Sequence, residues 1–244
     1  MSSSSNIVQG KRPLVIVGAG GFGMEVLWVV SRISAALGPS GWNVIGFVDD
    51  KSALQGVRVD GVQVLGKVNE FLERYAGQKL YFHCAIGKNR HRQRLAELFE
   101  SHGFLPATLI DPLAAVSPHA EIGLGSYIAP QVCVAPLAKV GRHVLINMGS
   151  SVGHHCQVDD YAQACPGTRM NGKCVVEKLA FLGSNVTLQP GKRVGEGATV
   201  GASSFVLRNV PPYSLVMGVP ARLMQYAPPA GQRATEIPFV VSIN

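Results

Sequence analysis

The 244-residue chain is 47% apolar, yet no apolar run approaches the eighteen or so residues that cross a bilayer, so a membrane-spanning helix is excluded. Its 22 basic and 15 acidic side chains leave a formal charge of +7, which favours anionic partners. No nucleic-acid motif or aromatic platform accompanies that charge, so phosphorylated small molecules match it better than DNA or RNA. The five cysteines, at 84, 133, 156, 165 and 174, form no CxxC pair and exclude a disulfide framework; they read as small core residues in a reducing compartment.

In chain order, residues 1–12 are a Ser-rich polar lead without an apolar signal region, expected to be disordered and not to direct secretion. Residues 13–17 predict a buried strand running into Gly18-Ala19-Gly20-Gly21-Phe22-Gly23, followed by a helix over 24–37 that Gly38-Pro39 ends. Strands are expected at 44–48, ending in Asp49-Asp50, at 62–65, 80–86 and 105–110; helices at 68–75 and 90–101. This alternation implies a small parallel α/β domain, Rossmann-like, over 13–112.

The loop Gly18-x-Gly20-x-x-Gly23 follows a strand and opens a helix, the setting in which glycines let a backbone approach a diphosphate at a helix N-terminus. Gly21 belongs to the same loop, and Asp49 and Asp50 end the next strand, where a carboxylate can accept from a ribose or base. Gly87-Lys88-Asn89 is a second strand-to-helix turn at the same sheet edge, with Arg90, Arg92 and Arg94 expected to crown its helix. Together these residues predict a nucleotide crevice.

Beyond residue 112 the pattern changes. Every sixth residue from Val116 to Val206 is apolar, sixteen positions in succession, fourteen of them Val, Ile or Leu. Neither the helical period of 3.6 nor the strand period of 2 produces this, whereas a solenoid of short strands does. Two positions earlier the residues are mostly small, such as Ala138, Ser150, Cys156 and Cys174; Cys156 and Cys174 should stack in adjacent coils. Gly123, Gly141, Gly153, Gly183 and Gly195, one position later, are expected to supply positive φ at the corners. The domain is placed at 113–224, and a Pro-rich tail at 225–244 carries an apolar Phe239-Val240-Val241 that could dock elsewhere.

A GxGGxG loop, a strand ending FVDD, an AIGKNxxR turn, a hexapeptide solenoid and a closing GVPAR at 218–222 resemble the bacterial nucleotide-sugar acetyltransferases, a family that includes UDP-4-amino-sugar N-acetyltransferases and sialic acid O-acetyltransferases. The likeness covers about 13–224; its most specific part is 147–156, NMGSSVGHHC, similar to the family's H-[DE]-C segment. The resemblance implies a left-handed β-helix, a homotrimer in the cytoplasm, and acetyl-CoA as co-substrate with no metal. It further implies acetyl transfer to the 4-amino group of a nucleotide-linked deoxysugar. By the same resemblance His154 is the general base, Gly172 the oxyanion donor, and Asn147, Ser184, Gly201, Ala202 and Arg222 line the coenzyme cleft. An attacking amine must lose a proton, and imidazole titrates near neutrality.

Two residues depart from the family. His155 stands where an acid orients the base, and Gln163 where a second histidine is usual. An imidazole can hold its neighbour by a hydrogen bond but cannot stabilise imidazolium as a carboxylate does; Asp159 or Asp160 could substitute. These departures keep two alternatives open: a sugar O-acetyltransferase of the same fold, or a catalytically weakened nucleotide-sugar-binding protein. A zinc-dependent, carbonic-anhydrase-like solenoid fits poorly, because His119, His143, His154 and His155 lack convergent spacing.

Overall fold

A computed structural model describes residues 11–226; of the lead expected over 1–12, residues 1–10 lie outside the described residues and Arg12 already belongs to a strand, and the end of the tail with its Phe239-Val240-Val241 lies outside the described residues as well. The chain divides into two compact units, one up to Pro112 with Leu124–Tyr127, the other Leu113–Gly123 with Ile128 onward.

In the first unit four strands, Arg12–Val17, Trp42–Val48, Tyr81–Cys84 and Leu105–Pro106, pair in parallel, with Arg12–Val17 and Tyr81–Cys84 central. Leu14, Val15, Ile16 and Val17 are all buried, as expected of a strand covered on both faces. The helices are Gly21–Leu37, Val68–Arg74 and Asn89–Ser101. The first begins three residues earlier than periodicity suggested, because Gly21 to Gly23 carry no apolar signal to mark the opening turn. A small antiparallel hairpin, Arg58–Val59 with Val62–Gln63, replaces the single strand expected at 62–65. The expected strand 105–110 breaks into Leu105–Pro106 and Leu109–Ile110, consistent with the missing N–H of Pro106.

The second unit is a parallel β-helix. Sixteen two-residue strands succeed one another from Ala115–Val116 to Phe205–Val206, and away from the ends each pairs with the strands eighteen residues before and after it, as in Cys133↔Ser151↔Arg169↔Thr187. The second residue of every strand is the apolar one read from the sequence, and all from Ile128 to Val206 are buried. Val116 and Ile122, in the first coil, are half-buried. The last rung leads into an antiparallel hairpin, Ser214–Gly218 with Ala221–Tyr226. Cys156 and Cys174 do stack inside the prism: their mutual hydrogen bond and burial push the Cys156 thiol up, and its Sγ lies 3.0 Å from the Asn171 carbonyl oxygen.

The corner glycines have a different role from the one expected. Positive φ falls two residues later, once per hexad, at Gly125, Gln131, Leu137, His143, Gly149, His155, Tyr161, Gly167, Lys173, Leu179, Asn185, Gly191, Gly197 and Ser203. The earlier glycines are needed for close approach. A Cβ on Gly153 would sit 2.7 Å from the Met170 carbonyl oxygen, and one on Gly183 2.6 Å from the Ala202 nitrogen. A left-handed residue with a Cβ costs roughly 1–2 kcal/mol, less for asparagine. Replacing the exposed Gln131 (φ 59°) by asparagine is therefore expected to raise the unfolding midpoint by a few degrees, measured by thermal denaturation.

Candidate active site

Each unit carries one part of the predicted chemistry. In the first, the turns after Arg12–Val17 and Tyr81–Cys84 meet at the carboxyl edge of the sheet, where strand order reverses. A Cβ on Gly18 would lie 2.8 Å from the Ala85 carbonyl oxygen. One on Gly23 would strike the Gly18 carbonyl, so these two glycines let helix, strand and turn close on one another. Gly20 and Gly21 are exposed, with nothing within 4 Å of their would-be Cβ positions. The helix they open has no side-chain cap and no acid in its first turn, leaving its N–H groups and positive dipole end for an anion.

Asp49 has a structural part as well. Its Oδ2 accepts from the Ala19 N–H (2.9 Å) and its Oδ1 from the Lys51 N–H (2.9 Å), so it braces the glycine loop. Asp50 accepts from the Val68 N–H (2.9 Å) at the start of helix Val68–Arg74, and Glu70 accepts from the Lys67 N–H (3.2 Å). Arg92 is the clearest correction. It is buried, not on a basic crown: Nη1 donates to the Ile86 carbonyl (2.8 Å) and Nη2 to Asn89 Oδ1 (3.1 Å). It fixes the Gly87-Lys88-Asn89 turn from beneath, while Arg90 and Arg94 are exposed. Sequence offered one unread sign of this, since Arg92 falls on the buried face shared with Leu95, Ala96 and Phe99.

In the solenoid, His154 and Gly172 occupy equivalent places at one edge, one coil apart. A Cβ on Gly172 would lie 2.5 Å from His154 Nε2 and 2.6 Å from Cε1, so the absence of a side chain is what lets the imidazole lie against this rung. The Lys173 N–H donates to the His154 carbonyl (2.9 Å), tying the coils in register. The Gly172 N–H meets no acceptor among the described residues, so it can donate to an oxygen placed before the ring. His154 and His155 are exposed and joined through their Nδ1 atoms at 3.1 Å. Neither Asp159 nor Asp160 replaces the missing acid: Asp159 Oδ1 accepts from Gln157 Nε2 (2.7 Å) and Asp160 Oδ1 from the Arg142 N–H (2.7 Å).

The residues predicted for the coenzyme gather at another edge. Asn147 and Gly201 share one column, and Ser184 and Ala202 share the next. The Ser184 and Ala202 N–H groups also lack acceptors among the described residues. A Cβ on Gly201 would lie 2.8 Å from Met217 Cβ, and Met217 pairs with the exposed Arg222 across the terminal hairpin. Gln163 is buried on the same wall, its Nε2 3.7 Å from Cys165 Sγ. The His154 edge lies six residues further along the chain than this one, roughly 20 Å at an extended rise. Among the described residues no group of three or more His, Cys, Asp or Glu is placed to hold a metal, and no helix is long and apolar enough to cross a membrane.

Comparison with known proteins bears on the fold and the family. Residues 13–99 match the PglD N-terminal domain family. GDP-perosamine N-acetyltransferase of Escherichia coli O157:H7 is 35% identical over 218 residues, covering 87% of this chain and 96% of that protein. The acetyltransferase domain of PglB from Neisseria gonorrhoeae, solved with acetyl coenzyme A, superposes with a TM-score of 0.78 at 31% identity, over 88% of this chain and 100% of that one. A histidine-to-asparagine mutant of perosamine N-acetyltransferase from Caulobacter crescentus, solved with CoA and GDP-perosamine, gives 0.79 at 31% identity, over 89% and 98%. With a glycine-loop α/β unit, a hexapeptide solenoid and similarity along nearly the whole length of these relatives, the chain belongs to the PglD family of nucleotide-sugar N-acetyltransferases.

Proposed function

We propose that the protein is a cytoplasmic homotrimer that moves acetyl from acetyl-CoA to the 4-amino group of a nucleotide-linked amino-deoxysugar. The observation that carries this reading is the His154 ring lying against the side-chain-free Gly172, whose N–H meets no acceptor among the described residues. Acetyl-CoA supplies an activated thioester. His154 takes the proton the amine loses as it attacks, and Gly172 N–H donates to the carbonyl oxygen as negative charge builds there. The exposed glycines 20 and 21 and the uncapped helix start would receive the nucleotide diphosphate, with Asp49 bracing the glycine loop, Asp50 the start of helix Val68–Arg74, and Arg92 the turn that carries Gly87, Lys88 and Asn89.

The two edges support a site shared between copies, as in the proposed trimer. The base and the coenzyme residues stand on different edges of one prism, so a single solenoid cannot present both to one acetyl group. A neighbouring copy placing its Asn147–Ser184–Ala202 edge beside His154 completes the site, as the resemblance implies.

Release of free CoA thiol should be followed with GDP-, UDP- and dTDP-linked 4-amino sugars and with their 4-hydroxyl counterparts, GDP-linked sugars first because two full-length relatives are named for GDP-perosamine. Turnover on an amino sugar alone supports N-transfer, turnover on hydroxyl sugars alone supports O-transfer, and binding without turnover supports the weakened binder. Co-expressing His154→Ala with Ala202→Trp, each inactive by itself, is expected to restore part of the activity in mixed trimers. No restoration would remove the shared site.

A further inference from the structure

His155 is the one residue of the reactive edge whose type the family does not explain, and its geometry assigns it a task. Its only side-chain hydrogen bond among the described residues is the 3.1 Å Nδ1–Nδ1 contact with His154. The groups around it do not compete: Pro136 O accepts its backbone N–H (3.3 Å), Leu137 and Lys173 hold the same phase in the coils before and after, and Asp159 and Asp160 are engaged elsewhere. One proton lies between the two Nδ1 atoms, so two arrangements exist. If His155 donates, His154 carries its own proton on Nε2, the atom facing Gly172, and cannot accept another there. If His154 donates, its Nε2 lone pair is presented to the amine.

We propose that His155 is a positioning residue that accepts the Nδ1 proton of His154 and so holds the base in its working tautomer. This deepens the reading of His154 as general base and rests on it. In the step itself the amine nitrogen forms its bond to the acetyl carbon, the carbon–sulfur bond breaks with its electron pair going to the coenzyme thiolate, and the amine proton passes to His154 Nε2. His154 meanwhile keeps its Nδ1 proton on the hydrogen bond to His155. A neutral imidazole makes the same orienting contact as a carboxylate, but it is also able to donate, so the pair can reverse. An acceptor-only side chain at this position cannot.

The test compares His155→Leu, His155→Asn and His155→Glu in the full-length enzyme. Leucine suits the backbone, since Leu137 and Leu179 hold the same hexad phase at φ 61° and 62° against 58° at His155; asparagine tolerates that region as well. His155→Leu is expected to lower kcat by roughly tenfold or more with both Michaelis constants and the unfolding midpoint unchanged. His155→Asn should recover much of that loss, and His155→Glu should equal or exceed the native rate. Nitrogen-15 spectra of His154 should show the Nδ1-protonated ring in the native enzyme and a mixture of tautomers in His155→Leu. Leucine and native rates within twofold of each other, or an Nε2-protonated His154 in the active enzyme, would overturn the proposal. If His154→Ala is inactive while all three His155 variants match the native rate, the base stands and the positioning role fails. If His154→Ala is itself active, both fail.

Discussion

Replacing Gly172 by alanine is expected to reduce kcat by about 10²–10³-fold while leaving the fold and both Michaelis constants close to native. The methyl group would stand 2.5 Å from His154 Nε2 and 2.6 Å from Cε1, against the face of the ring, so the imidazole must leave the position from which it meets the amine. Gly172 is not among the positive-φ residues, so alanine meets no backbone strain there and the unfolding midpoint should hold. The Gly153 pair of positions behaves in the opposite way. An alanine at 153 meets backbone atoms of the next coil at 2.7–2.8 Å, so it should lower stability before it affects chemistry. Steady-state kinetics with thermal unfolding on both variants separates the two cases. An active Gly172→Ala enzyme would show that the amine does not approach His154 past this glycine.

The second large effect is at the base. His154→Ala is expected to lower kcat by about 10²–10⁴-fold, the usual contribution of a positioned general base, with little change in nucleotide-sugar binding. Among the described residues the Nδ1 link to His155 is the one side-chain hydrogen bond of His154, and the residue is exposed. Stability should therefore be unchanged, so a loss of rate cannot be assigned to unfolding. Single-turnover acetyl transfer under saturating coenzyme distinguishes loss of chemistry from loss of binding. Native single-turnover rates in the alanine variant would remove His154 from the mechanism.

Much of this architecture was legible because a six-residue period has no competing explanation. The inward side chain of each coil is selected by packing alone, so Val116 to Val206 announce themselves one by one. The placing of His154 beside Gly172 followed from the same arithmetic once a coil was taken as eighteen residues. What periodicity could not give was anything decided between coils. Glycines 123, 153 and 183 looked like corners with positive φ, whereas Cβ clearance from the neighbouring coil is what selects them, and the left-handed residues two positions on include Leu, Tyr, Lys and His. In the α/β unit, one polar residue was misread for the same kind of reason. A guanidinium near a helix start, Arg92, looks like a ligand contact in one dimension; in three it is buried and bonded to Ile86 and Asn89 of the turn it supports. The split at Pro106 and the hairpin at 58–63 fell below the length at which a pattern can be recognised.

The pairing of the rungs with those eighteen positions away restricts how this half of the protein can change in length during evolution. Insertion or loss of a whole coil would keep each edge facing its own neighbour and only lengthen or shorten the prism. A gain or loss of six residues would preserve the apolar interior, yet it would turn everything downstream by one edge and carry Gly172 away from His154. Relatives with longer or shorter solenoids are thus expected to differ by multiples of eighteen between these two residues and the terminal hairpin, with smaller changes confined to bulges outside the ladder.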